Sequence, residues 1–320
     1  MSCQTTEHSA YVQPPFNDPG GDIVIRTADG VDFRLLKALL SLTSPVFKDI
    51  QDGLTVVPIP DQSRTWDNLM RIIYPITKPE FPAIDHVVAA LQASSKYEMR
   101  EIHSVIAPYL TPYTDNEPLR VFAIAYQHGL QAQMQAAAHA TLRRNVTAIL
   151  SDIPCECDQL PVRIYAQLLR FHHKTNEAID QKFADPNWIL NMRPPMVKGR
   201  TLDFTYSILW LRSHTCSAMH PTYLTYRYQS IKATITPPLW WMEFLDKAKN
   251  AVKTHMKGTA VNNPTFAIKA MNEAAGCKEI CQTAVPLYLP HVIDRMTKEI
   301  DAFLETLRFE LEPDQPRPID

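Results

Sequence analysis

The side chains best suited to holding a metal are six cysteines, at 3, 155, 157, 216, 277 and 281, and the histidines near them. His214, Cys216 and His220 lie close together, and Cys277 and Cys281 follow further along the chain. Zinc takes four nitrogen or sulfur ligands in a tetrahedron, often as two close pairs brought together by the fold. The spacing of Cys277 and Cys281 places both thiols on one face of a helix. His214, Cys216, Cys277 and Cys281 are therefore a candidate zinc set; the competing reading is free, buried or partly exposed thiols. Cys155-Glu156-Cys157 also offers two thiolates, but Cys-x-Cys is an awkward chelate with no clear second pair nearby. His172-His173 face different sides of a helix, which argues against joint ligation.

Other chemistry finds little purchase. The chain has no Gly-x-Ser-x-Gly, no Gly-x4-Gly-Lys-Ser/Thr, no His-Glu-x-x-His and no Gly-x-Gly-x-x-Gly. Eight glycines in 320 residues argue against phosphate-cradling loops, which need close backbone approach. The acidic residues are scattered over expected helix surfaces, where solvation explains them. Trp240-Trp241 would diverge by about 100° on a helix, so one of them is expected in the core. Arg143-Arg144 suits a helix end better than a nucleic-acid contact. We expect no enzyme and no catalytic residue. A net charge of −2 gives no global basic field, so nucleic-acid binding is not indicated. No run approaches the roughly 18 apolar residues of a membrane span. MSCQTTEHSAYVQPP lacks the marks of a secretory leader, and the cysteines are sparse for a disulfide framework. The expected compartment is the cytoplasm, the nucleus or both.

The elements that must position these residues are short, punctuated by 26 prolines. Asp22-Ile23-Val24-Ile25-Arg26 is a β-branched run; Ala28-Asp29-Gly30 turns it into Val31-Asp32-Phe33-Arg34 as a hairpin. Lys37 to Leu42 reads as a short helix. Ser44-Pro45 opens another, with Ser as N-cap and Pro at the first helical position. Residues 55–59 read as a strand whose Pro58 suggests a sheet edge. Helices follow at 63–74, from 84 to about Lys96, and from Met99 to Pro108. Beyond Pro112 the chain reads as all-helical. Leu119, Phe122, Ala123 and Tyr126 share a face, and Gly129 stops that helix. Further helices are expected at 131–146, from Leu160 toward His172, at 202–211, 238–256 and 264–276, and from Ile293 to Leu311.

These residues carry a resemblance. Asp22-Ile23-Val24-Ile25, Phe33, Leu36-Lys37, Leu40 and Ser44-Pro45-Val46-Phe47 resemble the opening of the BTB/POZ domain. Leu69, Ile72-Ile73-Tyr74, Val87, Leu91, Ala93 and Tyr97-x-Met99 resemble its later half. Residues 21–150 are also similar to the BTB proteins expanded in mushroom-forming fungi, as are the segments around Trp240-Trp241 and Cys277 to Cys281. The resemblance implies an α+β fold: a small sheet flanked by helices, followed here by an all-α C-terminal region. Asp22, Phe33, Leu40, Ser44, Phe47, Tyr74 and Met99 are its signature. It also implies a protein-binding role, with a cullin-type ubiquitin ligase scaffold as one partner class and transcriptional regulation as the alternative. A charged pocket would fall at Asp22 and Lys37. Leu36 stands where the family usually has His; it fills volume but cannot hydrogen-bond.

Leu35, Leu36, Leu39, Leu40, Leu42 and Val46 are too many apolar groups for one small core. The surplus is expected to meet a partner, with Leu35, Leu39 and Val46 as candidate contacts and self-association as one outcome; packing within the chain is the other. The expected divisions are a mobile leader at 1–20, the BTB/POZ domain at 21–112 and a helical extension at 113–184. A Pro-rich connector at 185–200, a helical region at 201–312 and a polar tail at 313–320 follow.

Overall fold

The structure is a computed structural model that describes residues 10–11, 14–48, 50, 56–144, 151, 153–185, 187–190, 196–197, 200–201, 224–228, 231–277 and 281–311. The chain divides into two compact units: 1–137 with 154–159, and 138–153 with 160–320.

In the first unit, alternating apolar residues build the hairpin of β2 (Ile23–Arg26) and β3 (Val31–Leu35). Its register pairs Ile25 with Phe33 and Ile23 with Leu35, so the core-facing side chains meet across the ladder. Arg26 and Asp32 pair in the same register, and the guanidinium grips the buried carboxylate through two bonds of 2.7 and 2.8 Å. Strand β4 (Val56–Pro58) lies parallel to β2 at the sheet edge, where the N–H missing from Pro58 is harmless. The short strand β1 (Ala10–Tyr11) runs parallel to β3 at the opposite edge. Phe16 is fully buried between Phe33 and Tyr74, so the leader expected over 1–20 is folded from at least this residue on.

Helices α1 (Lys37–Thr43), α2 (Ser63–Ile73), α3 (Ile84–Lys96) and α4 (Arg100–Ile106) follow in the order expected. Asp29, in the hairpin turn, accepts bonds from the Ser63 N–H (3.0 Å) and hydroxyl (2.6 Å), pinning the start of α2. Burial pushes this carboxyl upward, but the bonds from Ser63 and Thr27 outweigh it and hold the pKa below its ordinary value. Pro45–Phe47 forms a 3-10 turn. Its Ser44 does not cap that turn, as the sequence suggested; the buried hydroxyl donates to the Tyr97 carbonyl at 2.5 Å. Phe47, Trp66 and Tyr97 pack ring against ring at centroid distances of 5.2–5.7 Å. They lock the 3-10 turn, α2 and the end of α3 around one core. Helix α5 (Pro118–Gln127) ends at Gly129, whose φ of +67° only glycine adopts cheaply.

The second unit is helical, as expected of the C-terminal region. Helix α6 (Gln131–Thr141) begins in the first unit and ends in the second. Helix α7 (Val162–Ala184) runs well past His172, because Thr175 and Ile179 continue the buried face. The short α8 (Asn187–Leu190) leads to two strand pairs that the all-helical expectation lacked. These are β5 (Met196–Val197) with β6 (Arg200–Thr201), and β7 (Leu224–Tyr228) with β8 (Ile231–Ile235). The helix expected at 202–211 lies outside the described residues. Helices α9 (Leu239–His255), α10 (Pro264–Ala274) and α11 (Cys281–Thr306) share an apolar core with the end of α7. Helix α11 starts before Ile293 despite Pro286 and Pro290, and it ends before Leu311. Trp240 and Trp241 are both buried, against the expectation that only one would be; α9 is covered on two sides, by α7 and α10.

Candidate interaction surface

Six apolar residues between Leu35 and Val46 divide between two environments. Leu35 and Leu40 are 1% and 0% exposed and belong to the core, so Leu35 is corrected from a contact residue to a core residue. On β3 it faces inward beside Phe33, and the Ile23 pairing closes it off. Leu36, Leu42 and Val46 are 43%, 82% and 46% exposed, with Leu39 between the extremes. They sit at the N-cap of α1, within the helix and in the 3-10 turn after it. Val56, on the edge strand β4, is also exposed.

The base of this surface is fixed by two side chains distant in sequence. Leu36 occupies the N-cap position of α1 and offers no side-chain acceptor. The Tyr74 hydroxyl accepts from the Leu36 N–H at 2.8 Å, and Asp22 Oδ1 accepts from the Lys37 N–H at 2.6 Å. Two N–H groups at the start of α1 are thus satisfied from the strand side and from the end of α2. Burial, together with nearby Asp22, raises the Tyr74 phenol, which stays protonated at neutral pH. The Asp22 carboxylate meets the backbone of Lys37, while the Lys37 ammonium reaches the carbonyl of Ile50. Asp22 and Lys37 are thereby placed as a helix start. The remaining signature residues, Phe33, Leu40, Ser44, Phe47 and Met99, are all buried.

Of the candidate metal ligands, Cys277 and Cys281 are 3% and 0% exposed, on either side of 278–280. His214 and Cys216 lie outside the described residues. Among the described residues, no three His, Cys, Asp or Glu side chains converge as a metal site. Cys157 is buried, and burial, then the neighbouring Glu156 and Asp158 charges, pushes its thiol up to about 11.

Sequence reasoning missed an ionic centre. Arg120 on α5 binds Glu156 at 2.7 Å, Glu117 at 3.1 Å, and Asp85 on α3. Burial alone would lower its pKa, but the three carboxylates more than offset this and raise it. Gln127 adds a 2.7 Å bond to the Glu156 carbonyl, holding 154–159 in the first unit. Only the Glu117–Arg120 pair was within local reach of the sequence. A shallow cleft of about 390 Å³ between α3 and α4 is lined by Ser94, Ser95, Glu98, Arg100, His103 and Ser104. Ser94 and His103 are bonded to each other at 2.9 Å.

The first unit is thus a small mixed sheet with helices packed on it, and its first helix leaves Leu42 in solvent. Residues 18–112 match the family model of the BTB/POZ domain, and this segment is such a domain. The BTB/POZ domain is a protein-interaction module. No curated protein matched the chain. Among the described residues, no helix is long and apolar enough to cross a membrane.

Proposed function

We propose that the chain is a non-enzymatic protein-interaction adaptor whose BTB/POZ domain docks partners, a second copy of itself among them, through the exposed apolar residues in and around α1. The observation that carries this is the exposure of Leu36, Leu42 and Val46 on a domain whose core is complete without them. Exposed apolar groups close together in the chain favour burial against a partner. Sedimentation velocity at tens of micromolar tests self-association. We expect a dimer for the parent chain and a monomer for Leu42→Asp, with unchanged circular dichroism. A parent chain that sediments as a monomer overturns the self-docking part.

The cullin-type scaffold is the partner class we favour beyond self-association, met by helices in the regions 63–74 and 98–110. Affinity capture against a purified cullin distinguishes it from the transcriptional alternative. Binding supports the adaptor, and reproducible absence of binding removes it. The likeness to the expanded fungal BTB proteins and a cytoplasmic or nuclear setting belong to this same reading, and both rest on the sequence. A zinc-stabilised second unit is the remaining reading, favoured by two buried thiols at Cys277 and Cys281. Elemental analysis of the purified chain decides it, and absence of zinc removes it.

A further inference from the structure

The cleft of about 390 Å³ between α3 and α4 falls within the roughly 300–1,000 Å³ that ligand pockets span. Its frame is tied by the chain itself. The buried Ser94 hydroxyl donates to the Leu91 carbonyl at 2.8 Å, so its oxygen accepts from His103 Nδ1 at 2.9 Å. That bond joins α3 to α4. The backbone closes the same turn: the Glu98 N–H donates to the Ser95 carbonyl at 3.1 Å and the Met99 N–H to the Ser94 carbonyl at 2.8 Å.

Two exposed side chains of opposite charge, Glu98 and Arg100, line the cleft on this frame. The Arg100 N–H bonds to the Glu98 carbonyl at 3.1 Å. The carboxylate and the guanidinium pair neither with each other nor, among the described residues, with another side chain. Glu98 holds a φ of +55°, which glycine adopts cheaply and glutamate does not. A strained residue at a cleft points to a side chain with a task. Glycine would serve the turn and lose the carboxylate. A purely anionic ligand meets repulsion from Glu98, and a purely cationic one from Arg100. A ligand carrying both signs satisfies both groups. For a protein-interaction module, that ligand is a peptide with an acidic and a basic side chain close together.

We propose that the α3–α4 cleft docks a short peptide segment of a partner protein, whose carboxylate meets Arg100 and whose ammonium or guanidinium meets Glu98. The inference rests on the protein-docking reading of this domain and adds a contact made by residues other than the α1 leucines. A planar guanidinium grips a carboxylate through two parallel bonds. Binding asks little ordering of the turn, because the bonds that shape it are already made.

Selection of a phage-displayed random heptapeptide library on the full chain, with Glu98→Gly as the counter-bait, tests the cleft. Glu98→Gly relieves the left-handed strain, so lost binding there is not lost folding. Peptides retained by the parent and not by Glu98→Gly should pair an acidic with a basic residue. In fluorescence anisotropy, Glu98→Gly and Arg100→Gln should each weaken a recovered peptide by about three- to tenfold. A peptide stripped of its acid should no longer sense Arg100→Gln, and one stripped of its base should no longer sense Glu98→Gly. Leu42→Asp as bait should select the same peptides, which separates this cleft from the α1 surface. The proposal is overturned if no peptide prefers the parent to Glu98→Gly, or if the stripped peptides still sense both substitutions. Binding that needs Arg100 and is indifferent to Glu98 marks a plain anion site and overturns it as well.

Discussion

Asp22 and Tyr74 stand 52 positions apart and act on the same turn of backbone, accepting from the N–H groups of Lys37 and Leu36. Each bond satisfies a donor that the helix itself leaves open. Asp22→Ala should cost about 1 kcal/mol in a urea titration, in the range of a lost cap. Tyr74→Phe should cost about 1 kcal/mol by the same measurement. Ser44→Ala should cost more, about 1–3 kcal/mol, because the hydroxyl is buried and its loss leaves the Tyr97 carbonyl without that donor. Ser44 was legible as a signature residue, but its partner was not. A Ser-Pro pair reads locally as a helix start, whereas the acceptor lies 53 residues away at the end of α3.

At the scale of elements, the helices of the first unit were largely legible, because their apolar spacing survives in the sequence. Their ends were less so. Glu98 closes α3 at φ +55°, with the Met99 N–H reaching back to the Ser94 carbonyl at 2.8 Å. That position suits glycine. Glu98→Gly should therefore stabilise the domain by about 0.5–1 kcal/mol, read as a higher urea midpoint with an unchanged slope. Gly258 shows the opposite constraint. A Cβ there would lie 2.1 Å from the Thr297 carbonyl of α11, and the Gly258 N–H donates to Asp301 at 2.5 Å. Gly258→Ala should cost at least about 2 kcal/mol in the second unit, since backbone cannot yield as a flexible side chain can. Nothing local to Lys257-Gly258-Thr259 marks this approach. It exists only because the 3-10 turn Gly258–Val261 is laid on α11.

For the molecule as a whole, the half-buried His128 contributes to the response to acid. His128 packs against His103 at 5.2 Å, and burial, then the His103 charge, lowers its pKa to about 4. The unfolded chain binds this proton near pH 6.5, so the stabilising difference is complete above that value and is lost as pH falls toward 4. Allowing for a ring only partly withdrawn from solvent, the loss from this residue should be about 1–2 kcal/mol between pH 7 and 4. Denaturation at both pH values should show His128→Gln flattening that slope in the first unit.

The sequence by itself determined the hairpin at 22–35, the signature from Phe33 through Phe47, and the faces of most of the described helices. Alternation and threes-and-fours are written locally, and short-range backbone geometry answers to them. Periodicity names a face without saying what covers it, and that was left to the tertiary structure. It put Leu35 and Leu40 inside while Leu36, Leu42 and Val46 stayed in solvent. It buried Phe16 in an expected leader, and it buried both Trp240 and Trp241 because neighbours lie on two sides of α9. It also gathered Asp85, Glu117 and Glu156 on Arg120. Such contacts join residues far apart in the chain, and only the closed fold brings them within reach.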